Sequence, residues 1–345
     1  MFDVPGKILL LGSGETSHAG GQAYDALLAG QAPPLHIRIL ETPAGFELNS
    51  ERVAGRVGDF LQSRLQNFQP EIRLIRARRK GGEFSTYSFQ LSEELAEADL
   101  IFLGPGSPSY AIRQLEGSRV WDTVKAVFLM GAHIALSSAA TIAFGKFALP
   151  VYEIYKVGED PFWNQGLNFL ALFGLHVSFI PHWNNNDGGS ELDTSRCFIG
   201  RARFDPLMEN IPAGHPLIGL DEQTGLIVDI HQRTAQCVGK GQIHLLLDGK
   251  LTDFETGAEF PLDLLGGIHE PETDALLEDI LTMAERIRSK SEVDIPLQIR
   301  EMVEQREAAR KAKNWAASDQ LRDQLAALGW QVTDTADGPK VELIR

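Results

Sequence analysis

The feature that most constrains this chain is an alternation. Short, nearly continuous apolar runs end in small or polar residues, and each is followed by a stretch with helical spacing. Residues 7–11 run into Gly12-Ser13-Gly14-Glu15, residues 37–40 into Glu41-Thr42-Pro43-Ala44-Gly45, and residues 100–103 into Gly104-Pro105-Gly106-Ser107. Residues 72–77 supply a further strand. Helices are expected over 23–28, from Ser50 to about residue 67, and over 92–96 with Ser92 as cap. Strands without polar alternation are buried on both faces. The pattern therefore predicts an α/β fold, a mostly parallel sheet with helices on both faces and functional loops at the strand carboxyl ends. The loop after residue 11 has two glycines of a dinucleotide fingerprint but not the third, so no nucleotide site is expected there.

The densest junction is His133-Ile134-Ala135-Leu136-Ser137-Ser138-Ala139-Ala140-Thr141. Residues 134–136 are too few for a helix and residues 139–144 have helical character, so Ser138 stands at a strand-to-helix corner. A serine there projects its hydroxyl beyond the sheet edge, beside backbone N–H groups that favour a developing anion. One oxyanion donor would be the N–H of Ala139. The other would come from Gly106 or Ser107, because Pro105 has no N–H. Residues 177–181 read as a strand that delivers His182, a base suited to take the serine proton with a carboxylate fixing its tautomer. Residues 150–155 read as strand-like and carry one acid, which gives the order Ser138, Glu153, His182. Ser137, one position off, is an alternative nucleophile. A packed strand-turn-helix with buried serines would use the same residues. Catalysis requires the Ser138 oxygen within about 4 Å of a His182 nitrogen.

At 345 residues and 43% hydrophobic, the chain can bury a large core. A net charge of -15 argues against a broad phosphate-binding surface. No apolar run reaches membrane-spanning length and no signal segment is evident, so a cytoplasmic protein with no membrane contact is expected. Cys197 and Cys237 are expected as two reduced, buried thiols, and neither a metal site nor a cofactor is expected. Residues 218–230 read as a hairpin through Asp221-Glu222-Gln223-Thr224-Gly225. With the short strands of 235–253, it would form an antiparallel flank of the same sheet.

Residues 5–255 resemble the peptidase S51 branch of the class I glutamine amidotransferase-like fold, of flavodoxin-like architecture. The resemblance rests on Gly104-Pro105-Gly106-Ser107 at the family's glycine turn, Ser138-Ala139 at its nucleophile elbow, Pro181-His182 at a strand end, and Gly219-Leu220-Asp221-Glu222-Gln223-Thr224. It implies a serine hydrolase acting on an amide or peptide bond of a small substrate, with Ser138 as nucleophile, His182 as base and an acid shortly after the serine, for which Glu153 fits. Leu136 stands where the family elbow has glycine, and Ala140-Thr141 replace Gly-Ala. A bulkier elbow and a more relaxed serine turn are therefore expected.

The remainder divides into a helix and linker at 256–294, with the linker at Ser289-Lys290-Ser291-Glu292, and a module at 295–345. The module is a helical hairpin interrupted near Lys313-Asn314-Trp315, then a β-hairpin about Ala336-Asp337-Gly338. Arg306-Glu307-Ala308-Ala309-Arg310-Lys311-Ala312-Lys313-Asn314-Trp315 and Ser318-Asp319-Gln320-Leu321-Arg322-Asp323 resemble the C-terminal segment of bacterial cysteinyl-tRNA synthetases. That resemblance implies contact with tRNA or a protein partner but not aminoacylation, since the chain has no HIGH-type or KMSKS-type signature. Arg306, Arg310, Lys311 and Lys313 fit RNA contact or a solvated helix face equally. Two functions follow: a Ser-His-Glu hydrolase, or a catalytically silent amidotransferase-like binding protein whose tail docks on tRNA or a synthetase.

Overall fold

Five apolar runs pair in parallel at the centre of the larger part of the chain. They are β1 (Ile8–Leu11), β2 (His36–Leu40), β3 (Glu71–Ile75), β4 (Leu100–Leu103) and β5 (His133–Ser137), in the spatial order β1-β5-β4-β2-β3. This is a computed structural model that describes residues 4–291, 297–312, 314–335 and 338–343. The chain forms two compact units, Met1–Glu285 and Arg286–Arg345.

In the first unit every residue of β1, β4 and β5 is buried, which is why these strands show no polar alternation. The connecting helices are α1 (His18–Leu27), α2 (Ser50–Arg64), α3 (Phe89–Ala96), α4 (Pro108–Leu115), α5 (Arg119–Leu129) and α6 (Ala139–Phe144). Ala23 and Leu27 of α1 and Val57 and Leu61 of α2 pack with Leu9, Ile37, Ile39 and Phe102 of the sheet. A separate aromatic group joins Trp121 and Phe128 of α5 to Phe144 and Phe169. The layered α/β architecture expected from the alternation is the one observed.

After α6 come a two-residue pair, β6 (Phe147–Ala148) and β7 (Asn164–Gln165), then β8 (Ser178–Ile180) and α7 (Arg201–Leu207). The strands β9 (Leu217–Leu220), β10 (Thr224–Asp229), β11 (Thr234–Gly239), β12 (Gln242–Leu247), β13 (Lys250–Glu255) and β14 (Glu259–Pro261) follow. They divide between two sheets. β10, β11 and β14 extend the main sheet antiparallel from β1, making eight strands, whereas β13-β12-β9-β8 form a second sheet of four.

This corrects the expected hairpin at 218–230. The open edge of β1 is filled by β10, while β9 pairs with β12 and, in parallel, with β8. Asp221-Glu222-Gln223 is thus the crossover between sheets, and it lands beside the loop after β1. The run at 150–155 is helical, ending in a π-type turn at Glu153–Val157 in which only Ile154 is buried. Ser88, not Ser92, caps α3: its Oγ accepts from the Leu91 N–H at 3.3 Å, and Ser92 lies inside the helix. The supposed linker from Ser289 to Ser291 continues α8 (Ala275–Ser291), with Glu292 outside the described residues.

The second unit contains α9 (Leu297–Lys311), α10 (Trp315–Ala327) and the antiparallel pair β15 (Trp330–Thr335) and β16 (Gly338–Leu343). Lys313, Ala336 and Asp337 lie outside the described residues. Its core is Ile299, Val303, Leu325, Trp330 and Val332. Arg306 is buried and grips Asp334 with two nitrogens, Nη1 to Oδ1 at 2.8 Å and Nη2 to Oδ2 at 3.0 Å, while Arg310 Nη1 reaches Asp334 Oδ2 at 2.8 Å. Two of the cations expected on an RNA-facing or solvated surface instead tie a helix to a strand. Charge-assisted forks of this kind hold about 1.5–3 kcal/mol. Arg306→Ala is accordingly expected to destabilise the second unit by about 1–3 kcal/mol. Hydrogen exchange would show this as faster exchange in β15 and α9, with the rates in β5 unchanged.

Candidate active site

The corner after β5 is strained. Ser138 has φ 52° and ψ -110°, a conformation that non-glycine residues hold only when their surroundings impose it, at a cost of about 1–3 kcal/mol. The imposing contacts come from β1: the Ser138 N–H donates to Leu11 O at 3.3 Å and the Thr141 hydroxyl donates to the same carbonyl at 3.0 Å. Ser138 is partly exposed while Ser137 and Ala139 on either side are buried. The relaxed turn expected from Leu136 and Ala140 is not what forms. Leu136 lies in register between Leu10 and Leu103, so its bulk belongs to the sheet and does not crowd the corner. Ser137, the alternative nucleophile, hydrogen-bonds Glu15 Oε2 at 2.9 Å and is fully buried.

His182 arrives from β8. Its own φ is 52°, with its N–H on Gly12 O at 3.3 Å and its carbonyl accepting from Cys197 at 3.2 Å and Asn185 at 3.1 Å. This backbone clamp aims the ring at the corner: Ser138 Oγ stands 2.9 Å from His182 Nε2. Phe198 packs on the imidazole at 5.0 Å between ring centres. Cys197 and Cys237 are free and buried, and burial pushes both thiols up, Cys237 to about 11.

The carboxylate on the other side of His182 is Glu222, not Glu153. His182 Nδ1 stands 2.9 Å from Glu222 Oε1, which also accepts from Asn185 Nδ2 at 2.8 Å, and Ser13 Oγ bonds Glu222 Oε2. Burial works to raise the Glu222 pKa. The hydrogen bonds from His182, Asn185 and Ser13 outweigh it and bring the group down to about 2, so it is ionised at any ordinary pH. Glu153 sits in the helical turn at 153–157, and its Oε2 is buried with no partner among the described residues. Its place in a helix, where a strand was expected, is the reason it does not meet His182. Glu222 lies in the Gly219–Thr224 segment singled out from the sequence. A hairpin at 218–230 would leave it on a turn; the crossover between the sheets brings it to His182.

The two backbone donors are placed as follows. Gly106 has φ 151°, and a Cβ there would fall 1.9 Å from Pro43 O, so only glycine fits. The N–H of Ser107 is taken by Pro43 O at 2.9 Å, whereas those of Gly106 and Ala139 have no acceptor among the described residues. The loop at Gly12–Glu15, where no nucleotide site was expected, is a structural part of this site through Gly12 O, Ser13 and Glu15. Among the described residues no group of histidine, cysteine and acidic side chains is arranged to hold a metal ion, and no helix is long and apolar enough to cross a membrane.

The crystal structure of a peptidase from an acI-B1 Actinobacterium superposes with a TM-score of 0.58 at 20% identity, covering 75% of this chain and 97% of that one. The two share a fold. Residues 292–339 match the cysteinyl-tRNA ligase anticodon binding domain family. The cysteine–tRNA ligase of Chlamydia felis is 42% identical over 67 residues, and that of Caldicellulosiruptor saccharolyticus 48% identical over 66. In both cases the match covers 19% of this chain, which spans only 14% of the ligase's length.

The strain at Ser138 has a measurable consequence. Glycine holds a positive φ without a Cβ penalty, so Ser138→Gly is expected to be more stable than Ser138→Ala by about 1–2 kcal/mol, reversing the usual order of the two residues. Equilibrium denaturation of the two variants checks it, and a less stable glycine variant would show that the corner is not strained.

Proposed function

We propose that the first unit is a serine hydrolase that cleaves an amide or peptide bond through Ser138, His182 and Glu222. The observation that supports it is the continuous chain from Ser138 Oγ through His182 to Glu222, with 2.9 Å at each link. His182 Nε2 takes the hydroxyl proton as Ser138 Oγ bonds to the carbonyl carbon. The negative charge that develops on the carbonyl oxygen meets the N–H groups of Gly106 and Ala139. The imidazolium, steadied by Glu222, returns its proton to the leaving nitrogen as the C–N bond breaks. Water then repeats the sequence on the acyl-serine. Leaving Glu222 ionised keeps Nδ1 as the protonated nitrogen, which is what makes Nε2 the base.

A fluorophosphonate probe is expected to label the wild-type chain and not Ser138→Ala. Glu222→Gln should label about 10²–10⁴-fold more slowly, because it removes the charge that orients and steadies His182. Glu153→Gln should stay within about 3-fold of wild type, because Glu153 hydrogen-bonds neither Ser138 nor His182. Equal labelling of Ser138→Ala and wild type would sink the proposal.

We further propose that the second unit contacts tRNA, which the match of residues 292–339 supports. Among the described residues the cations free for this are few: Arg306 and Arg310 are engaged by Asp334, and Lys311 is exposed. Binding should therefore be weak and only shallowly salt-dependent, with log K falling by about one for each phosphate contact per tenfold rise in salt. Labelled tRNA should be retained by the full chain at low salt and lost in Lys311→Glu. No retention at low salt excludes RNA and leaves a protein partner.

A further inference from the structure

His244 lies on β12 opposite Gly219 of β9 and is buried between two carboxylates. Its Nε2 stands 3.1 Å from Asp221 Oδ1 and its Nδ1 2.8 Å from Asp253 Oδ1. Its ring stacks on Trp183, 5.3 Å between centres and inclined by 21°. Both neighbours matter by position: Asp221 immediately precedes Glu222, and Trp183 immediately follows His182. Asp221 is tied to β12 a second time, because its Oδ2 accepts from the Gln242 N–H at 3.0 Å. Trp183 is held from three further sides. Its N–H donates to Leu220 O at 3.0 Å, its carbonyl accepts from Arg196 Nη1 at 3.0 Å, and the Arg196 guanidinium lies 3.6 Å from the ring. The absence of a side chain at Gly219 leaves the room its indole fills, since a Cβ there would fall 2.4 Å from the ring.

We propose that His244 is a positioning residue that fixes the His182–Glu222 pair, by clamping the segment before Glu222 and the segment after His182 to the same strand. The proposal rests on the serine-hydrolase reading for its effect on reactivity, though the clamp itself is defined by geometry alone. His244 touches none of the reacting groups. Its lever is distance: a displacement of about 1 Å at a reacting centre costs about 10²-fold in rate.

The clamp is complete only when the imidazole is charged. Both of its partners are carboxylates, and only an imidazolium donates from both nitrogens. Burial works against that charge, and the hydrogen bonds and fields of Asp221 and Asp253 outweigh it, so His244 titrates above the ordinary 6.5. The other charged groups around the cleft that His244 lines are Asp193, Arg196 and Arg201. A histidine raised in this way contributes fully below its unfolded value and loses the contribution as pH rises through the folded value. The loss therefore falls on the alkaline limb of the profile.

Two readouts on the full-length chain test this. The first is the rate of fluorophosphonate labelling against pH. Wild type should show a fall as pH rises past the ordinary histidine range. His244→Gln, which keeps one hydrogen bond and cannot titrate, should label at an intermediate rate without that fall, and His244→Ala should be slower by about 10-fold or more. The second is the low-field proton resonance of the His182 Nδ1–H bonded to Glu222, which needs no activity. It should shift or vanish in His244→Ala and be partly restored in His244→Gln. If His244→Ala fails to fold, His244→Gln carries both measurements. A wild type that does not label but whose resonance depends on His244 overturns the hydrolase reading and supports the clamp. Folded His244 variants with the wild-type resonance and wild-type pH profile overturn the clamp.

Discussion

Glu222 is the point at which the first unit's loops are held together. Its carboxylate collects Ser13 from the loop after β1 and both His182 and Asn185 from the loop after β8, while its N–H donates to Asn184 Oδ1 at 2.8 Å. Those loops come from different sheets. Without a carboxylate at position 222, three donors would lose their acceptor in a half-buried space, and each unmet donor costs about 1–3 kcal/mol. The depressed pKa of about 2 and the fixed orientation of His182 are two consequences of the same crowd of donors. The crossover from β9 to β10 therefore does more than connect sheets: it carries the one group that the loops on both sides require.

Ser138 and His182 were legible in the sequence because their settings are local. A short apolar run followed at once by small residues is a strand meeting a helix, and a histidine after Phe179-Ile180-Pro181 is a residue at a strand end. The acid was not local. Residues 217–220 and 224–229 are both apolar and separated by a turn-like segment, and that pattern is the same whether they pair with each other or leave for different sheets. Read as a hairpin, the segment left Glu222 on a surface turn. Glu153 then stood as the nearest acid, on a run rich in β-branched and aromatic residues that looks extended. The protein makes it a helical turn closed by Gly158 at φ 88°. Short apolar runs do not distinguish these outcomes, and tertiary pairing decided both.

The second unit shows the same limit for charge. The spacing of Arg306, Arg310 and Lys311 is consistent with a cationic helix face, but Asp334 lies more than twenty positions on, in a strand that folds back onto the helix. Arg306 is 3% exposed, so it is an internal strut, while Lys311 is left on the surface. A residue's charge is visible in the sequence; whether that charge is spent internally depends on a contact that is not. The likeness to the ligases' anticodon binding domain thus concerns a small folded unit first, and an RNA surface only through the cations that the fold leaves over.

The corner at Ser138 shows where bulk matters in such a turn. Leu136 occupies a position at which glycine would be expected, yet the strained backbone is kept. Leu136 is still within the strand, in register with Leu10 and Leu103, so its bulk packs in their row of the sheet and not at the turn. Crowding would arise instead where the chain doubles back, at Gly12 and Gly106, whose missing side chains admit Asp221 O and Pro43 O. A Cβ at Gly12 would fall 2.1 Å from Asp221 O, which would push the β9–β10 crossover away and take Glu222 with it. The small residues the site depends on are therefore in the loops of neighbouring strands and not in the elbow itself. For that reason an elbow with Leu136 two residues before the serine still holds its serine 2.9 Å from His182.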